Sequence, residues 1–287
     1  MSPKSRFKKV FLNPISKVLR SILSVTPSSL RSIALRIISD SFRSRDGLIR
    51  NKAFFDLDLI QGLEKTTYYS QTYINSISKA SQQKTDNIYK ILRHHNLYSY
   101  IDSVLNQKIP GHFAECGTWN GNSLFATLSL LDNHPALAKN IYVYDSFEDG
   151  LSKFSKEDFQ GGTINTDAEA EFVRKSFYSS YDLLIDRLDN NPSVFVKKGW
   201  IPDVFVDEPS RTYSFVHIDV DLYEPTFAAH QYFFPKMSPG GIVVCDDYGY
   251  KSFPGAAAAV DKFLSSLPPG SYSHFFRLSM GTSVLIK

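Results

Sequence analysis

The sequence predicts an α/β fold with a mostly parallel sheet of seven strands that ends in an antiparallel hairpin. Three observations predict it. From residue 111 onward, short apolar segments alternate with amphipathic ones, which is the pattern of repeated strand and helix units. The apolar segments lack polar alternation, as expected of strands buried on both faces. The last two are separated only by a turn at Met280-Gly281, which favours a hairpin.

Each element can be placed from its own pattern. Strands are predicted near residues 112–116, 141–145, 194–198, 213–219, 241–246, 274–279 and 282–287. Helices are predicted at 86–107, 122–132, 167–188, 225–237 and 254–267. A parallel sheet that closes in such a hairpin suits the class I methyltransferase variant of the Rossmann-like fold.

The charge distribution divides the chain. The net charge is +3 over 287 residues, but residues 1–52 hold 12 Lys and Arg against 2 acids, which leaves 20 against 27 for the rest. We therefore predict a basic amphipathic helical leader over 1–52, a helical cap region over 53–110 and an α/β domain over 111–287. The acidic body offers no basic stripe interleaved with aromatic residues, so nucleic acid is not an expected partner.

The role of the leader stays open on sequence alone. Apolar residues recur at helical spacing on both sides of Pro27, with basic residues off those stripes. Such helices can dock on the body or on a second copy in a homo-oligomer, rest on an anionic membrane surface, or act as a targeting segment. No window of 18 apolar residues exists, so we expect no membrane span and a cytoplasmic protein, with peripheral membrane contact through 1–52 as an alternative.

Two cysteines, Cys116 and Cys245, fall at the ends of predicted strands. Both are expected to be buried, which suits a reducing compartment better than a disulfide framework.

Acidic residues follow two of the predicted strands directly. Asp219 and Asp221 follow one, and Asp246 and Asp247 follow the next. Carboxyl ends of neighbouring parallel strands are where open α/β sheets bind ligands. Two unit charges about 4 Å apart repel by roughly 4 kcal/mol at an effective dielectric near 20, so a proton, a basic side chain or a cation must compensate them. Oxygen-only ligands favour Mg²⁺, Mn²⁺ or Ca²⁺ over zinc. Caps and salt bridges are the alternative.

The loop after the first strand has the form of a cofactor turn. Gly117 and Gly121 allow a close backbone approach, but Trp119 stands where a dinucleotide fingerprint has its second glycine. Glu115 precedes the loop and suits the cationic amino acid part of S-adenosylmethionine. Asp145 ends the next strand, where an acid can bind ribose hydroxyls or simply cap a turn. An ordinary strand-to-helix turn is the alternative for the whole loop.

Together these segments resemble the macrocin O-methyltransferase family, the metal-dependent sugar methylases of macrolide biosynthesis. The resemblance is carried by residues 111–119, 145–148, 219–226, 239–241 and 246–248. It implies that S-adenosylmethionine is bound by Glu115, Gly117, Thr118, Gly121, Ser123, Asp145, Ser146, Phe147, Gly199 and Trp200. It also implies that Asp219, Asp246 and Asp247 hold Mg²⁺ or Mn²⁺, and that Asp219 is the catalytic base.

The sequence therefore predicts an S-adenosylmethionine-dependent and divalent-metal-dependent O-methyltransferase. Its partner is expected to be a small-molecule or glycan acceptor, with a sugar or secondary-metabolite hydroxyl as the methylated group. Two alternatives remain, a membrane-associated binding protein without turnover and another metal-dependent enzyme on a Rossmann-like sheet. His217 lies within a predicted strand and is expected to be a core histidine.

Overall fold

The computed structural model describes residues 68–80, 88–159, 166–205, 211–250, 252–278 and 281–287. All of them belong to the unit that runs from Tyr68 to Lys287. The predicted leader over 1–52 and the first part of the predicted cap lie outside the described residues.

The described chain alternates strands and helices as predicted. The strands are β1 (His112–Cys116), β2 (Ile141–Asp145), β3 (Val194–Lys198), β4 (Tyr213–Ile218), β5 (Met237–Cys245), β6 (His274–Arg277) and β7 (Ser283–Ile286). The helices are α1 (Tyr68–Lys79), α2 (Ile88–Asn106), α3 (Asn122–Leu131), α4 (Asp167–Ser176), α5 (Tyr181–Leu188), α6 (Tyr223–Phe233) and α7 (Pro254–Ser266). Most predicted ends agree to within one or two residues.

The seven strands form one sheet in the order β3-β2-β1-β4-β5-β7-β6. Strands β1 to β5 are parallel, whereas β7 runs antiparallel to both β5 and β6. This is the predicted Rossmann-like sheet with its antiparallel hairpin. The chain leaves β1 and β4 in opposite directions across the sheet, so their carboxyl ends border the crevice where such sheets bind ligands.

Two hydrophobic layers cover the sheet. On one face, Tyr98 and Ile101 of α2 pack in a cluster that includes Phe113 of β1. On the other face, Phe233 of α6 and Phe263 of α7 pack in a second cluster. Helix α2 therefore shares a core with the sheet. The division of the chain at residue 110 stays a prediction.

The predicted helix over 167–188 is wrong as a single helix. Helix α4 ends at Ser176, and α5 starts at Tyr181. The Ser180 hydroxyl accepts a hydrogen bond from the backbone N–H of Leu183 at 3.3 Å and so caps α5. A serine N-cap satisfies a free N–H at a helix start, which gives the second helix its own beginning.

Helix α6 starts two residues before the predicted position at Pro225, and a buried acid marks its start. Asp158 accepts a hydrogen bond from the backbone N–H of Tyr223 at 2.8 Å, and its other oxygen accepts bonds from the backbone N–H (2.7 Å) and the hydroxyl (2.8 Å) of Ser155. A Cβ added to Gly255 of α7 would lie 1.9 Å from the Asp158 carboxylate. Asp158 therefore connects Ser155, three residues before it, with the start of α6, and it packs closely against Gly255 of α7.

Two further predictions can be compared directly. Cys116 and Cys245 are buried and unpaired, as expected. Among the helices of the described part of the chain, none is long and apolar enough to cross a membrane.

Candidate active site

The loop after β1 requires glycine at its first position. Gly117 has a φ of +80°, and an added Cβ would lie 1.9 Å from the backbone oxygen of Asp219. The backbone N–H of Gly117 donates to the Tyr144 carbonyl at 2.8 Å, and the N–H of Asp219 donates to the Cys116 carbonyl at the same distance. Residue 117 therefore fixes how closely the ends of β1 and β4 approach.

Asp145 at the end of β2 organises the same loop. One of its carboxylate oxygens accepts hydrogen bonds from the backbone N–H groups of Thr118 (2.7 Å) and Trp119 (2.8 Å), and the other accepts one from Phe147 (2.6 Å). Burial raises the pKa of this carboxyl, and the three N–H donors oppose that shift. Two carboxylate oxygens have about four acceptor positions, so one remains for a ribose hydroxyl. The cap and cofactor roles are therefore compatible.

A cavity of about 270 Å³ lies where these loops meet. Of the predicted cofactor residues, those that line it are Gly117, Thr118, Ser123, Asp145, Ser146, Gly199 and Trp200. The others, Glu115, Gly121 and Phe147, are buried and stand outside the lining. Glu115 accepts a hydrogen bond from the hydroxyl of Ser123, so it supports a lining residue from behind.

Trp119 forms part of the cavity wall although its residue type is unusual there. Its φ is +49°, a left-handed conformation that glycine adopts most easily. Its indole N–H donates to the Tyr178 carbonyl at 3.1 Å, and the Lys90 ammonium lies 5.8 Å from the ring centroid. These contacts fix the ring in the wall of the cavity.

The acids at the ends of β4 and β5 meet beside this cavity. Asp219, Asp246 and His217 each place one ligand atom within 4.8 Å of the other two. The strand ends at Cys245, so Asp246 and Asp247 occupy a turn, as a shared site requires. Asp247 instead accepts a hydrogen bond from the backbone N–H of Asp221 at 3.0 Å. The structure thus brings Asp219 and Asp246 together and adds a histidine to them.

The charge states within this cluster differ. Burial raises the pKa of Asp219, and burial together with neighbouring acids raises the pKa values of Asp221 and Asp247 further. Burial also opposes ionisation of Asp246, but Arg93 and His217 hold the pKa of that carboxyl below its usual range. The lowered pKa favours the ionised form of Asp246, and the crowding of the acids around it favours bound protons or a cation.

His217 takes part in the cluster rather than in apolar packing alone. Its ring nitrogens lie 3.6 Å from a Glu115 oxygen and 3.7 Å from an Asp246 oxygen. Burial lowers the pKa of His217, but the two acids outweigh burial and raise it well above its ordinary value. His217 is buried, as expected of a core histidine, but its ring faces two acids.

Helix α2 supplies site residues that the sequence reasoning missed. Lys90, Arg93 and His94 line the cavity, and Arg93 Nε lies 3.1 Å from Asp246 Oδ2. The signal was present, since polar residues at i, i+3 and i+4 share one helix face. It was overlooked because a polar stripe is usually a solvated surface.

The residues at the cavity fit S-adenosylmethionine, which carries a sulfonium, an ammonium and a carboxylate. The cavity lining includes the acids Asp145, Asp219 and Asp247 and the basic side chains of Lys90 and Arg93. Two lining residues also bring a buried polar atom that has no hydrogen-bond partner among the described residues, Thr118 Oγ1 and Trp200 Nε1. Such atoms are expected where a ligand completes the hydrogen bonding.

Comparison with known proteins agrees with this geometry. The family model for macrocin-O-methyltransferase (TylF) matches residues 88–266, which includes helix α2 and every acid discussed above. Demethyldecarbamoylnovobiocin O-methyltransferase of Streptomyces niveus is 27% identical over 210 residues, which span 70% of this chain and 77% of that enzyme.

A second relative is 8-demethyl-8-(2,3-dimethoxy-alpha-L-rhamnosyl)-tetracenomycin-C 4'-O-methyltransferase of Streptomyces olivaceus. It is 31% identical over 163 residues, which span 53% of this chain and 59% of that enzyme. Mycinamicin III 3''-O-methyltransferase of Micromonospora griseorubida is 26% identical, over 54% of this chain and 62% of that enzyme. The chain thus spans about three fifths of the length of these two relatives.

Solved structures share the fold. The O-methyltransferase NovP superposes with a TM-score of 0.54 at 21% identity, covering 67% of this chain and 78% of that one. The calicheamicin methyltransferase CalS11 gives a TM-score of 0.53 at 20% identity, covering 77% of this chain and 93% of that one.

The family model and the three relatives together show that the chain belongs to the macrocin-O-methyltransferase family and is an S-adenosylmethionine-dependent O-methyltransferase.

Proposed function

We propose that this enzyme methylates a sugar hydroxyl of a glycan or secondary metabolite and that a divalent ion, Mg²⁺ or Mn²⁺, assists the reaction. One observation carries the proposal, the meeting of Asp219 and Asp246 beside a cavity that fits S-adenosylmethionine. The names of the relatives support the acceptor class, since one of them methylates a rhamnosyl-substituted tetracenomycin.

The acids fit a hard cation. Asp219, Asp246 and Asp247 would hold it, and His217 lies within reach of the same group. Burial, and then the neighbouring acids, raises the pKa values of Asp219 and Asp247, so a bound cation would stabilise their ionised forms. Such an ion, when bound, lowers the pKa of a coordinated hydroxyl and fixes its position.

The cofactor residues have separate tasks. Asp145 would hold the ribose, while Gly117 and Thr118 line the wall along which the amino acid part would lie; Ser146, Gly199 and Trp200 would complete the binding wall. Glu115, Gly121 and Phe147 would shape the loop from behind. S-adenosylmethionine, when bound, supplies an electrophilic methyl group on its sulfonium.

Asp219 would act as the base. It would accept the proton of the acceptor hydroxyl while the oxygen takes the methyl group, and S-adenosylhomocysteine would leave. Because burial raises its pKa, Asp219 is a stronger base than an exposed aspartate.

Aromatic residues would bind the acceptor. The ring centroids of Phe177 and Phe253 lie 5.7 Å apart in the cavity lining, and Tyr250 of the same lining is half exposed. Their rings offer apolar faces for a sugar or an aromatic aglycone.

The test combines binding with turnover. Calorimetry with S-adenosylmethionine measures cofactor affinity, and a separate titration with MgCl₂ measures metal affinity. Methyl transfer from labelled cofactor into glycan and metabolite extracts identifies the acceptor. Transfer should disappear with EDTA, return with Mg²⁺ or Mn²⁺, and fall at least about a hundredfold in Asp219→Asn. Asp186→Asn, an exposed residue of α5, is the matched control. Methyl transfer that persists undiminished in EDTA refutes the requirement for a metal ion. Full activity of Asp219→Asn refutes the role of Asp219 as the base.

A further inference from the structure

Helix α2 brings a permanent positive charge into the acid cluster. Arg93 Nε lies 3.1 Å from Asp246 Oδ2, and the exposed fraction of the two side chains is only 20% and 7%. An arginine does not lose its proton in proteins, so this charge stays at every working pH. The contact is a buried ion pair between the helix and the turn after β5.

The cluster needs such a charge when no metal ion is bound. Arg93 lies near four acids, and each of them stabilises the charged form of its guanidinium: Asp219, Asp221, Asp246 and Asp247. Like charges this close repel strongly in a site with little water. Removing one partner of a buried ion pair leaves the other uncompensated, which is costly. Arg93 therefore contributes to holding the acids together.

The same carboxylate is required for two purposes. Asp246 is a member of the group whose ligand atoms gather within 4.8 Å, and its Oδ2 atom is the one that Arg93 contacts. A metal ion on Asp246 and a guanidinium on its Oδ2 would place two positive charges in contact. The guanidinium and the metal ion would therefore compete for the Asp246 carboxylate.

We propose that Arg93 is an internal counter-cation that a divalent ion must displace from Asp246. The proposal rests on the metal site of the proposed function. Arg93 lowers the affinity for the ion and stabilises the metal-free enzyme, so metal binding exchanges one cation for another. Because Arg93 belongs to α2, which lines the cofactor cavity, the exchange moves a guanidinium that faces the cofactor site.

The test compares Arg93→Gln with Lys90→Gln in the full chain. Lys90 lies on the same helix wall of the cavity, so its loss removes the same charge nearby without removing the ion pair. Titration calorimetry with MnCl₂ should give a dissociation constant at least about tenfold lower for Arg93→Gln than for the wild type, and a change below about threefold for Lys90→Gln. In EDTA, Arg93→Gln should unfold at a lower temperature than the wild type, and saturating Mn²⁺ should close that gap.

A second variant separates charge from shape. Arg93→Lys keeps the positive charge and should bind Mn²⁺ within about threefold of the wild type. Unchanged or weaker Mn²⁺ binding by Arg93→Gln overturns the proposal, and so does failure of that variant to fold with Mn²⁺ present while Arg93→Lys folds. If no variant binds Mn²⁺ but all bind S-adenosylmethionine, the exchange and the metal site are both refuted while methyl transfer stands.

Discussion

The substitution Gly117→Ala tests the junction of β1 and β4 most directly. The new Cβ would lie 1.9 Å from the backbone oxygen of Asp219, well inside any tolerated contact, at a φ of +80°. The left-handed conformation costs about 1–2 kcal/mol, and forced overpacking adds about 1–3 kcal/mol. The free energy of unfolding should therefore fall by about 2–5 kcal/mol, a large part of the roughly 5–15 kcal/mol typical of a protein.

The chain offers a matched control. Gly270 has the same φ of +80°, but an added Cβ there meets nothing within 4 Å. Gly270→Ala should therefore lose only the conformational part, about 1–2 kcal/mol. Urea unfolding measures both variants, and calorimetry measures cofactor binding, which should weaken in Gly117→Ala alone because Asp219 and the loop must shift. Equal stability of the two variants together with equal cofactor affinity would refute the reasoning.

Three further substitutions test other parts of the structure. Asp145→Asn should lower the free energy of unfolding by about 1–3 kcal/mol and weaken cofactor binding, because an amide oxygen cannot accept all three N–H bonds. Urea unfolding and calorimetry check this, with the exposed Asp149→Asn as a control that should match the wild type. Burial lowers the pKa of His230 from 6.5 to about 4, so the unfolded chain takes up its proton first as the pH falls, and up to about 3 kcal/mol of stability is lost between those values. Urea unfolding from pH 7 to pH 4 should show a shallower loss in His230→Gln, and an identical slope contradicts the assignment. Lys139→Met removes a buried ammonium that donates to two carbonyls and a hydroxyl and should cost about 1.5–3 kcal/mol in urea unfolding, whereas exposed Lys108→Met should cost little.

Most of the sheet could be predicted because buried parallel strands leave a simple pattern. Strands β1, β2, β4 and β5 are mostly apolar and end at an acid or a glycine. Strands β3 and β6 are mostly exposed instead, so they are not buried on both faces as expected. The single helix over 167–188 is wrong because the four residues between α4 and α5, 177–180, are weak helix formers that end in a serine cap, a local signal that the overall helical pattern outweighed. Local sequence fixes an average preference, while the break depends on where α5 packs.

Only part of the candidate site could be predicted from the sequence. Asp219 and Asp246 stand at strand ends, and parallel neighbours place such ends together, so their meeting follows from order alone. Arg93 could not be found in this way, because it lies on a helix far away in sequence whose rotation is set by packing. The partnership of His217 with Glu115 needed the register of β1 against β4.

The buried acid that caps α6 limits how the enzyme can be redesigned. Loops beside a cavity tolerate exchange and often carry function, and residues 152–159 follow directly after the cavity-lining Gly150 and Leu151. That segment carries Asp158, whose hydrogen bond to the backbone N–H of Tyr223 is worth about 0.5–2 kcal/mol to helix α6. A graft lacking an acid at this position would loosen that helix, so donor loops must retain it.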